Sequence, residues 1–297
     1  MRVAKQAHNL DMQQPQPHPD PAAPAPRTRG AEVRPAAVGR LAFAPATLIT
    51  FPPSLDCELA RFLLAHYGVP HEERRHAFIF CPIVTLWHAG TIHFPLLYNA
   101  EYKLDTVRKM IDHFDPLVGE DRRLLPAGPD RTQVEADWNQ FNGTLGTATA
   151  TYAYYHLLPL KAVMTRPLSE GTPAFEAWTV RAGYPLYAWA ISQGLKLSPE
   201  AAQAAIDTIH AVADAADARL ADGRRYFVGD RFTLADMAFA VSLGPLVLPD
   251  QYSAPIPRLV ELPPPLKVTY AELRARPAGQ FALRIYRDHR DAAPRVT

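Results

Sequence analysis

Between Thr47 and Phe114 the apolar residues alternate between the spacing of strands and the spacing of helices, and this order restricts the fold. The run 48–51, which is closed by two prolines, predicts a short strand. After it, large apolar side chains recur at the i, i+3, i+4 spacing of a helix, at Leu59, Phe62 and Leu63. The sequence therefore predicts a strand followed directly by an amphipathic helix.

This first helix has a clear start and a clear end. Ser54 or Asp56 can accept hydrogen bonds from its first free backbone N–H groups. Gly68 and Pro70 are typical of a helix end. The stretch 77–80 then predicts a second strand, parallel to the first because a helix separates the two.

The next elements complete this part of the chain. Residues 81–90 predict a short irregular helix, and 94–98 with 101–104 predict a β-hairpin. A helix follows, and its apolar face carries Val107, Met110, Ile111 and Phe114. The resulting order β-α-β-α-β-β-α is that of a thioredoxin-like α/β domain.

The rest of the chain lacks the alternation of strand and helix patterns. The first 44 residues are rich in proline and poor in side chains that could stabilise an ordered backbone. After a polar, turn-rich stretch no convincing strand pattern follows, and helices are predicted at 132–164, 173–194, 199–222, 234–243 and 265–289. The predicted domains are a disordered Pro-rich tail at 1–44, a thioredoxin-like domain at 45–116, a linker at 117–131, an all-helical domain at 132–290 and a tail at 291–297.

Charge and composition exclude several classes of protein. The formal net charge is +1 with acids and bases mixed, whereas a nucleic-acid groove needs a clustered basic stripe. The longest apolar run, 237–248, is interrupted by Gly244 and Pro245 and is shorter than the ~20 residues that span a bilayer. Two cysteines, Cys57 and Cys81, imply no disulfide framework. Because the N-terminus also lacks an apolar secretory segment, we expect a cytoplasmic protein that binds neither nucleic acid nor membranes.

Three segments resemble the glutathione S-transferase family. The first is the strand, Pro-Pro-Ser turn and helix that end in Tyr67-Gly-Val-Pro70. The second, Phe94-Pro-Leu-Leu-Tyr98, is similar to the family's Val-Pro-Val-Leu, in which the proline is cis. The third, Gly229-Asp-Arg-Phe-Thr-Leu-Ala-Asp236, is similar to the family's Gly-Asp-x-x-Thr-x-Ala-Asp at the start of a buried helix. The resemblance implies that a helical bundle of the glutathione-transferase type follows the thioredoxin-like domain.

The third segment also has a structural meaning of its own. Thr233 and Asp236 stand three residues apart in the pattern of a capping box, with Asp in place of the usual Glu or Gln. A cap of this kind contributes about 1 kcal/mol to stability. The segment therefore identifies the fold rather than the chemistry.

The resemblance places the residue that activates the thiol of glutathione at Ser54. A thiol with a pKa of about 8.5 is mostly protonated at neutral pH, and the thiolate is the nucleophile. A donated hydrogen bond and the positive end of a helix both stabilise that anion. Ser54 is the predicted catalytic residue, unless it only caps the helix. Cys57, at a second family position, is the other candidate, either for thiol-transferase chemistry or as a small buried side chain.

The resemblance also implies residues that bind glutathione as the co-substrate. With Pro95 in the cis form, the backbone N–H and C=O of Phe94 would pair with the cysteinyl backbone of glutathione. The family's third helix begins with Glu-Ser or Gln-Ser, which hold the γ-glutamyl group. Alignment of that helix by its apolar face puts Thr106 and Val107 at these positions.

Sliding this alignment by one residue gives Asp105 and Thr106, which are chemically closer to the family pair. That alignment, however, would bring Lys109 into the core. We therefore expect an altered γ-glutamyl site, in which Asp105 caps the helix and can reach the ammonium of the ligand.

The predicted function is that of a glutathione transferase in detoxification, which activates glutathione for attack on a small electrophile or a peroxide and forms homodimers. One alternative is a non-catalytic protein of the same fold that binds a partner or ligand, and another is a thiol transferase that depends on Cys57. The acceptor is expected to bind beside the helix that carries Trp138 and the aromatic run 152–156. No metal site is predicted, because His71 and His76 are five residues apart instead of the four that put two ligands on one helix face.

Overall fold

The structure, a computed structural model, describes residues 43–290. Nearly all of the predicted tail at 1–44, and all of that at 291–297, lie outside the described residues. At the start of the described part, the ring of Phe43 packs edge-on against Phe114 at 5.2 Å between ring centroids. Packing onto the first domain therefore begins a few residues before the first strand.

Strands occur only in the first part of the described chain. They are β1 Ala46–Thr50, β2 His71–Arg75, β3 Leu96–Tyr98 and β4 Lys103–Leu104, and the helices among and after them are α1 Leu55–Tyr67, α2 Phe80–Ala89 and α3 Val107–Phe114. The sheet has the order β2-β1-β3-β4, with β1 parallel to β2 and antiparallel to β3. This arrangement confirms the predicted thioredoxin-like fold.

The second part is helical. Its helices are α4 Pro129–Trp138, α5 Gly146–Leu157, α6 Lys161–Ser169, α7 Ala174–Ala182, α8 Tyr184–Leu195, α9 Pro199–Leu220, α10 Leu234–Val247, α11 Pro264–Ala275 and α12 Pro277–Ile285. A π-helical stretch at 139–145 joins α4 to α5. Helix α10 is buried along almost its whole length and lies against α1 as well as α4, α5, α11 and α12. No helix within 43–290 has the length and hydropathy needed to cross a membrane.

Helix α1 forms as its sequence predicts. Ser54 is its N-cap, in extended conformation, and Gly68 ends it with a φ of 72°, in the left-handed region that favours glycine. The buried face includes the predicted Leu59, Phe62 and Leu63. Local capping and periodicity therefore fix the start of α1, and with it the position of Ser54.

The second strand lies earlier than predicted. The prediction of 77–80 as a strand is wrong: Ala77 belongs to a turn and Phe80 opens α2, whereas β2 is the charged segment His71–Arg75. This strand pairs with β1 residue by residue, from Ala46↔His71 to Thr50↔Arg75. As an edge strand it can carry charged side chains, because one side faces solvent and the other pairs its charges with the protein.

Candidate functional site

Ser54 stands at the junction of β1 and α1. Its backbone N–H donates to the carbonyl of Phe51 at 3.2 Å, which closes the Pro-Pro turn. Its Oγ accepts a hydrogen bond from the backbone N–H of Cys57 at 3.4 Å, and the side chain is half-buried. A hydroxyl that caps a helix in this way uses an oxygen lone pair, so its hydrogen stays available to a ligand. Ser54 therefore has the geometry for both roles considered from the sequence.

The peptide Phe94–Pro95 lies beside the end of β1 and is cis. Because Ile49 pairs with Leu96 in the antiparallel register, the chain that leaves β1 passes next to the residues that precede β3. The ring of Phe51 contacts that of Phe94 at 6.1 Å and that of Phe78 at 5.4 Å between centroids. The fold thus brings the turn before Ser54, the cis proline and the chain before α2 to one end of the sheet.

The start of α3 differs from the expectation. Thr106 is the N-cap, and its side chain accepts from the backbone N–H of Lys109 at 3.2 Å. The prediction that Asp105 caps this helix is wrong, because Asp105 lies one residue earlier and its Oδ1 binds Lys109 Nζ at 2.6 Å. Lys109 is 59% exposed and Met110 is buried, which agrees with the alignment of this helix by its apolar face. Val107, by contrast, is buried in the core.

Asp105 is connected to the chain before the cis proline. Its Oδ2 lies 3.6 Å from Nδ1 of His93, the residue that precedes Phe94. The hydrogen bond from Lys109 is the main reason that the pKa of Asp105 is lowered. The predicted binding residues Phe94, Pro95, Asp105 and Thr106 therefore form one continuous edge of the structure.

Both cysteines are buried. Burial raises the pKa of the Cys57 thiol to about 12, and the nearby charge of Arg61 and the Ser54 hydrogen bond oppose this only in part. Burial likewise raises the pKa of Cys81. A reactive thiol needs partial exposure and a lowered pKa. The environment of Cys57 therefore favours a structural role over a nucleophilic one.

Behind α1 lies an ion network that the sequence did not reveal. Arg61 is 3% exposed and its Nε donates to Glu73 Oε1 of β2 at 2.7 Å. Its Nη1 donates to Glu58 Oε2 at 3.3 Å and to the carbonyl of Pro52 at 3.2 Å. Thr50 also donates to Glu73, at 2.6 Å. The network therefore holds the turn that leads to Ser54.

The same network reaches the helical part of the chain. Glu58 is fully buried, and its Oε1 accepts from the backbone N–H of Ser253 at 3.1 Å. Arg75 donates to the carbonyl of Ser253 at 3.3 Å, and Arg290 donates to its hydroxyl. Arg290 Nε also lies 3.9 Å from Glu58. The sequence pattern could not predict this network, because the residues that contact one another in it are far apart along the chain.

The network predicts a specific response to acid. Burial alone would raise the pKa of Glu73, but the charges of Arg61 and Arg75 and the hydrogen bond from Thr50 lower it from 4.5 to about 2. The stabilisation by Glu73 is therefore present above pH 4.5 and is lost as the pH falls towards 2. At 1.36 kcal/mol per pKa unit this amounts to about 3 kcal/mol.

We expect Glu73→Gln to remove this part of the pH dependence, which would be measured by urea unfolding between pH 7 and pH 2.5. The variant should be less stable at neutral pH and show a shallower fall in acid. The matched control is Glu72→Gln, at an exposed neighbouring position on the same strand. If the unfolding free energy of Glu73→Gln fell with pH in the same way as that of the wild type, the charge of Glu73 would not be stabilised by Arg61 and Arg75.

The aromatic run predicted to border the acceptor pocket divides between the core and the surface. Tyr152 is buried, whereas Tyr154, Tyr155 and His156 are half-buried. Burial raises the pKa of the Tyr154 hydroxyl, and the nearby thiol of Cys57 contributes to the shift. Tyr154 is therefore the member of the run that lies near the start of α1.

Two cavities open on the helical part, and neither is lined by Ser54. One, of about 610 Å³, lies between α6 and α7 and is lined by Arg166, Glu170 and Arg181 among others. The other, of about 570 Å³, lies along the loop that carries Tyr252 and Ser253. The candidate site at Ser54 therefore rests on the geometry of the turn and the sheet edge.

Comparison with known proteins agrees with this architecture. Residues 199–296 match the family model described as the glutathione S-transferase C-terminal domain. No curated protein matches the chain in sequence.

Solved structures resemble it at low sequence identity. The β-etherase LigF from Sphingobium sp. strain SYK-6 is 14% identical and has a TM-score of 0.50, with 80% of this chain and 98% of that chain covered. A glutathione S-transferase from Methylobacterium radiotolerans, in complex with glutathione sulfonate, is 21% identical with a TM-score of 0.46, and the alignment covers 81% and 95%. Glutathione transferase F2 from Populus trichocarpa is 13% identical with a TM-score of 0.49, and the alignment covers 82% and 99%.

The described residues therefore have the glutathione S-transferase fold, and residues 199–296 match the model of that family's C-terminal domain. The resemblance inferred from the three sequence segments is confirmed.

Proposed function

We propose that this protein is a glutathione transferase that activates the thiol of glutathione for attack on a small electrophile or a peroxide, with Ser54 as the residue that stabilises the thiolate. In the conjugation reaction the thiol proton passes to solvent and the sulfur bonds to the electrophilic atom. The leaving group departs with the electron pair of the broken bond.

The observation that carries this proposal is the position of the Ser54 hydroxyl. It is half-buried, caps the N-terminus of α1 through its oxygen and keeps its hydrogen available. Lowering a thiol pKa by two units needs about 2.7 kcal/mol. A hydrogen bond to a charged group contributes about 1.5–3 kcal/mol and the end of a helix about 0.3–1 kcal/mol. These two contributions are large enough for the proposed effect.

The start of α3 supports glutathione as the ligand. The γ-glutamyl end of glutathione carries one ammonium and one carboxylate. Asp105 and Lys109 place one carboxylate and one ammonium beside the Thr106 cap. Opposite charges at this spacing suit a zwitterion, because each charge of the ligand finds a partner. We therefore propose that Asp105 binds the ammonium and that Lys109 assists with the carboxylate.

Thiol-transferase chemistry at Cys57 receives less support. That reaction needs a thiolate that can form a mixed disulfide with glutathione. The Cys57 thiol is fully buried, and burial raises its pKa to about 12. The proposal therefore assigns the chemistry to the bound thiol of glutathione.

Ser54→Ala is expected to lower kcat/KM at least tenfold with glutathione and a panel of small electrophiles and peroxides, which corresponds to about 1.4 kcal/mol. The variant should also raise the apparent pKa in the pH profile of kcat/KM, because the thiolate loses its hydrogen bond. Ser54→Thr keeps the hydroxyl and should retain most of the activity.

The loss of a helix cap needs its own control. Ser198 caps α9 in the same way, since its Oγ accepts from the backbone N–H of Ala201 at 3.1 Å. Ser198→Ala should lower stability to a similar extent, about 1 kcal/mol, and leave turnover unchanged. Full activity of Ser54→Ala would contradict the role of Ser54. Binding of glutathione to the wild type without turnover of any acceptor would favour a non-catalytic protein.

A further inference from the structure

Glu176 is a buried carboxylate in the first turn of α7 that the proposed chemistry does not use. One of its oxygens lies 2.8 Å from Nδ1 of His76, and the other accepts from the backbone N–H of Ala77, also at 2.8 Å. An ionised carboxylate only accepts hydrogen bonds, so the imidazole donates. Both oxygens of Glu176 are therefore bound to a segment that lies a hundred residues earlier in the chain.

The segment that Glu176 binds joins β2 to α2. The N–H of His76 donates to the carbonyl of Thr50 at 2.8 Å, which extends the pairing of β2 with β1 by one residue. The carbonyl of Ala77 accepts from the N–H of Phe80 at 2.9 Å, at the start of α2. Ala77 is fully buried. The hydrogen bond from its N–H to Glu176 therefore fixes the point at which the chain leaves the sheet and enters α2.

Phe78 connects this segment to the candidate site. Its ring lies 5.4 Å from that of Phe51 and 6.3 Å from that of Phe94, measured between centroids. Because Phe51 and Phe94 also contact each other, at 6.1 Å, the three rings form one cluster. Phe51 precedes the turn that leads to Ser54, and Phe94 precedes the cis proline. The position of Phe78 therefore bears on both sides of the candidate site.

The two neighbours of Phe78 are supported differently. The turn before Ser54 is tied to Arg61, which donates to the carbonyl of Pro52 at 3.2 Å. Phe94 lies two residues before the start of β3, so its position depends more on the packing of its side chain. We therefore expect a displacement of Phe78 to shift Phe94 more than it shifts Ser54.

The contact between α7 and the start of α2 has a second, weaker part. The ring of Phe175 packs edge-on against that of Phe80, at 5.8 Å between centroids, but Phe175 is 63% exposed. Glu176, by contrast, is only 6% exposed. Hydrogen bonds to an ionised group are about twice as strong as those between neutral groups, and the N-terminal end of a helix favours a negative charge. The link between the two helices therefore depends mainly on Glu176.

We propose that Glu176 is a positioning residue for glutathione binding, an inference that rests on the proposed function. Glu176 holds the segment between β2 and α2, and this segment keeps Phe78 against Phe94. The backbone of Phe94 then presents its N–H and C=O to the cysteinyl part of glutathione. Loss of Glu176 therefore weakens the binding of glutathione and leaves the chemical step at Ser54 largely unchanged.

The test is Glu176→Ala in the full chain. The dissociation constant for glutathione, measured by isothermal titration calorimetry, and the KM for glutathione should both rise about tenfold, which corresponds to about 1.4 kcal/mol. The kcat at saturating glutathione should stay within about twofold of the wild type. A residue that only stabilised the fold would not separate KM from kcat in this way.

The conservative variant Glu176→Gln should bind glutathione nearly as well as the wild type does. Its amide oxygen can accept from the N–H of Ala77, and its amide nitrogen can donate to Nδ1 of the other tautomer of His76. Val180→Ala is the matched control for stability, because Val180 is fully buried on the same helix. It should lower the Tm and leave the dissociation constant for glutathione unchanged.

Hydrogen exchange of the unliganded proteins gives a readout that does not require glutathione. In Glu176→Ala the backbone amides of 76–80 and of 91–95 should exchange about tenfold faster than in the wild type, because both segments lose their support. In Val180→Ala these two segments should exchange as in the wild type.

Equal affinity of Glu176→Ala and the wild type for glutathione would overturn the proposal. So would a Glu176→Gln variant that binds as weakly as Glu176→Ala, a similar loss of affinity in Val180→Ala, or unchanged exchange at 76–80. A wild type that binds no glutathione would overturn the proposed function and this inference with it. Faster exchange at 76–80 in Glu176→Ala would then show that the error lies in the ligand, whereas the link from Glu176 holds.

Discussion

Arg61→Met should lower the free energy of unfolding by about 3–5 kcal/mol, because removing one partner of a buried ion pair leaves uncompensated charge. Arg61 is the only cation that contacts both Glu58 and Glu73 in the part of the chain described, at 3.3 and 2.7 Å. Glu58 is fully buried, so water cannot replace the lost guanidinium. Methionine fills a similar volume, so the loss reports on charge more than on packing.

Urea unfolding at pH 7 would measure this effect. Arg74→Met is the matched control: Arg74 lies on β2 and pairs with Glu72, but both side chains are largely exposed, and such pairs contribute about 0–1 kcal/mol. Adding Glu58→Gln and Glu73→Gln to Arg61→Met should restore part of the stability, since the two carboxylates that Arg61 neutralises are then uncharged. A loss below 1 kcal/mol in Arg61→Met alone would show that the network does not hold the protein together.

The network also bears on the proposed chemistry. Arg61 holds the carbonyl of Pro52, and the backbone N–H of Glu58 donates to the carbonyl of Ser54 at 3.0 Å. Loss of Arg61 therefore frees the turn on one side of Ser54. Thiolate stabilisation depends on the position of a single hydroxyl, so turnover should fall in Arg61→Met even under conditions where the variant is folded.

Local signals explain why much of the fold could be predicted from the sequence. The cap at Ser54, the end of α1 at Gly68 and the apolar face of α3 each depend on residues within a few positions of one another. The hairpin of β3 and β4 is similarly local, and the structure has all of these elements where the pattern places them.

The strand β2 could not be predicted in this way. Its sequence, His-Glu-Glu-Arg-Arg, lacks the apolar alternation of a strand, and the apolar run after it is more strand-like. What makes it a strand is pairing with β1 and the contact of Glu73 with Arg61, which come from distant parts of the chain. The strand propensity of the residues is a weak guide where long-range pairing of this kind determines whether a segment forms a strand.

The candidate site, like the fold, was predicted only in part. Ser54 and the cis proline at Pro95 follow from short motifs, and the structure brings them to one end of the sheet. The start of α3 was misread because an apolar face fixes the rotation of a helix but leaves its first residue undetermined. Thr106 and Asp105 both resemble caps in sequence, and only the hydrogen bonds decide between them.

The largest effect in the helical part is expected for Asp236→Ala, at the segment most similar to the family. Asp236 is fully buried, and its two oxygens accept from the backbone N–H of Phe227, the backbone N–H of Thr233 and the hydroxyl of Thr233, each at 2.8 Å. Alanine removes all three acceptor contacts at the start of α10, which packs against α1. Buried donors left without a partner cost about 1–3 kcal/mol each, so we expect a loss of about 3–5 kcal/mol after partial relaxation.

The experiment compares unfolding free energies at pH 8, above the value of about 6 to which burial raises the pKa of Asp236. Asp230→Ala is the matched control, because Asp230 lies in the same segment but is exposed. Thr233→Ala should cost about 1 kcal/mol, as for a single cap. Because α10 is the buried centre of the helical part and contacts α1, Asp236→Ala should lower the Tm of the whole protein in one transition. A variant as stable as Asp230→Ala would show that the hydrogen bonds of Asp236 contribute nothing to the fold. A separate early transition would show that the two parts unfold independently.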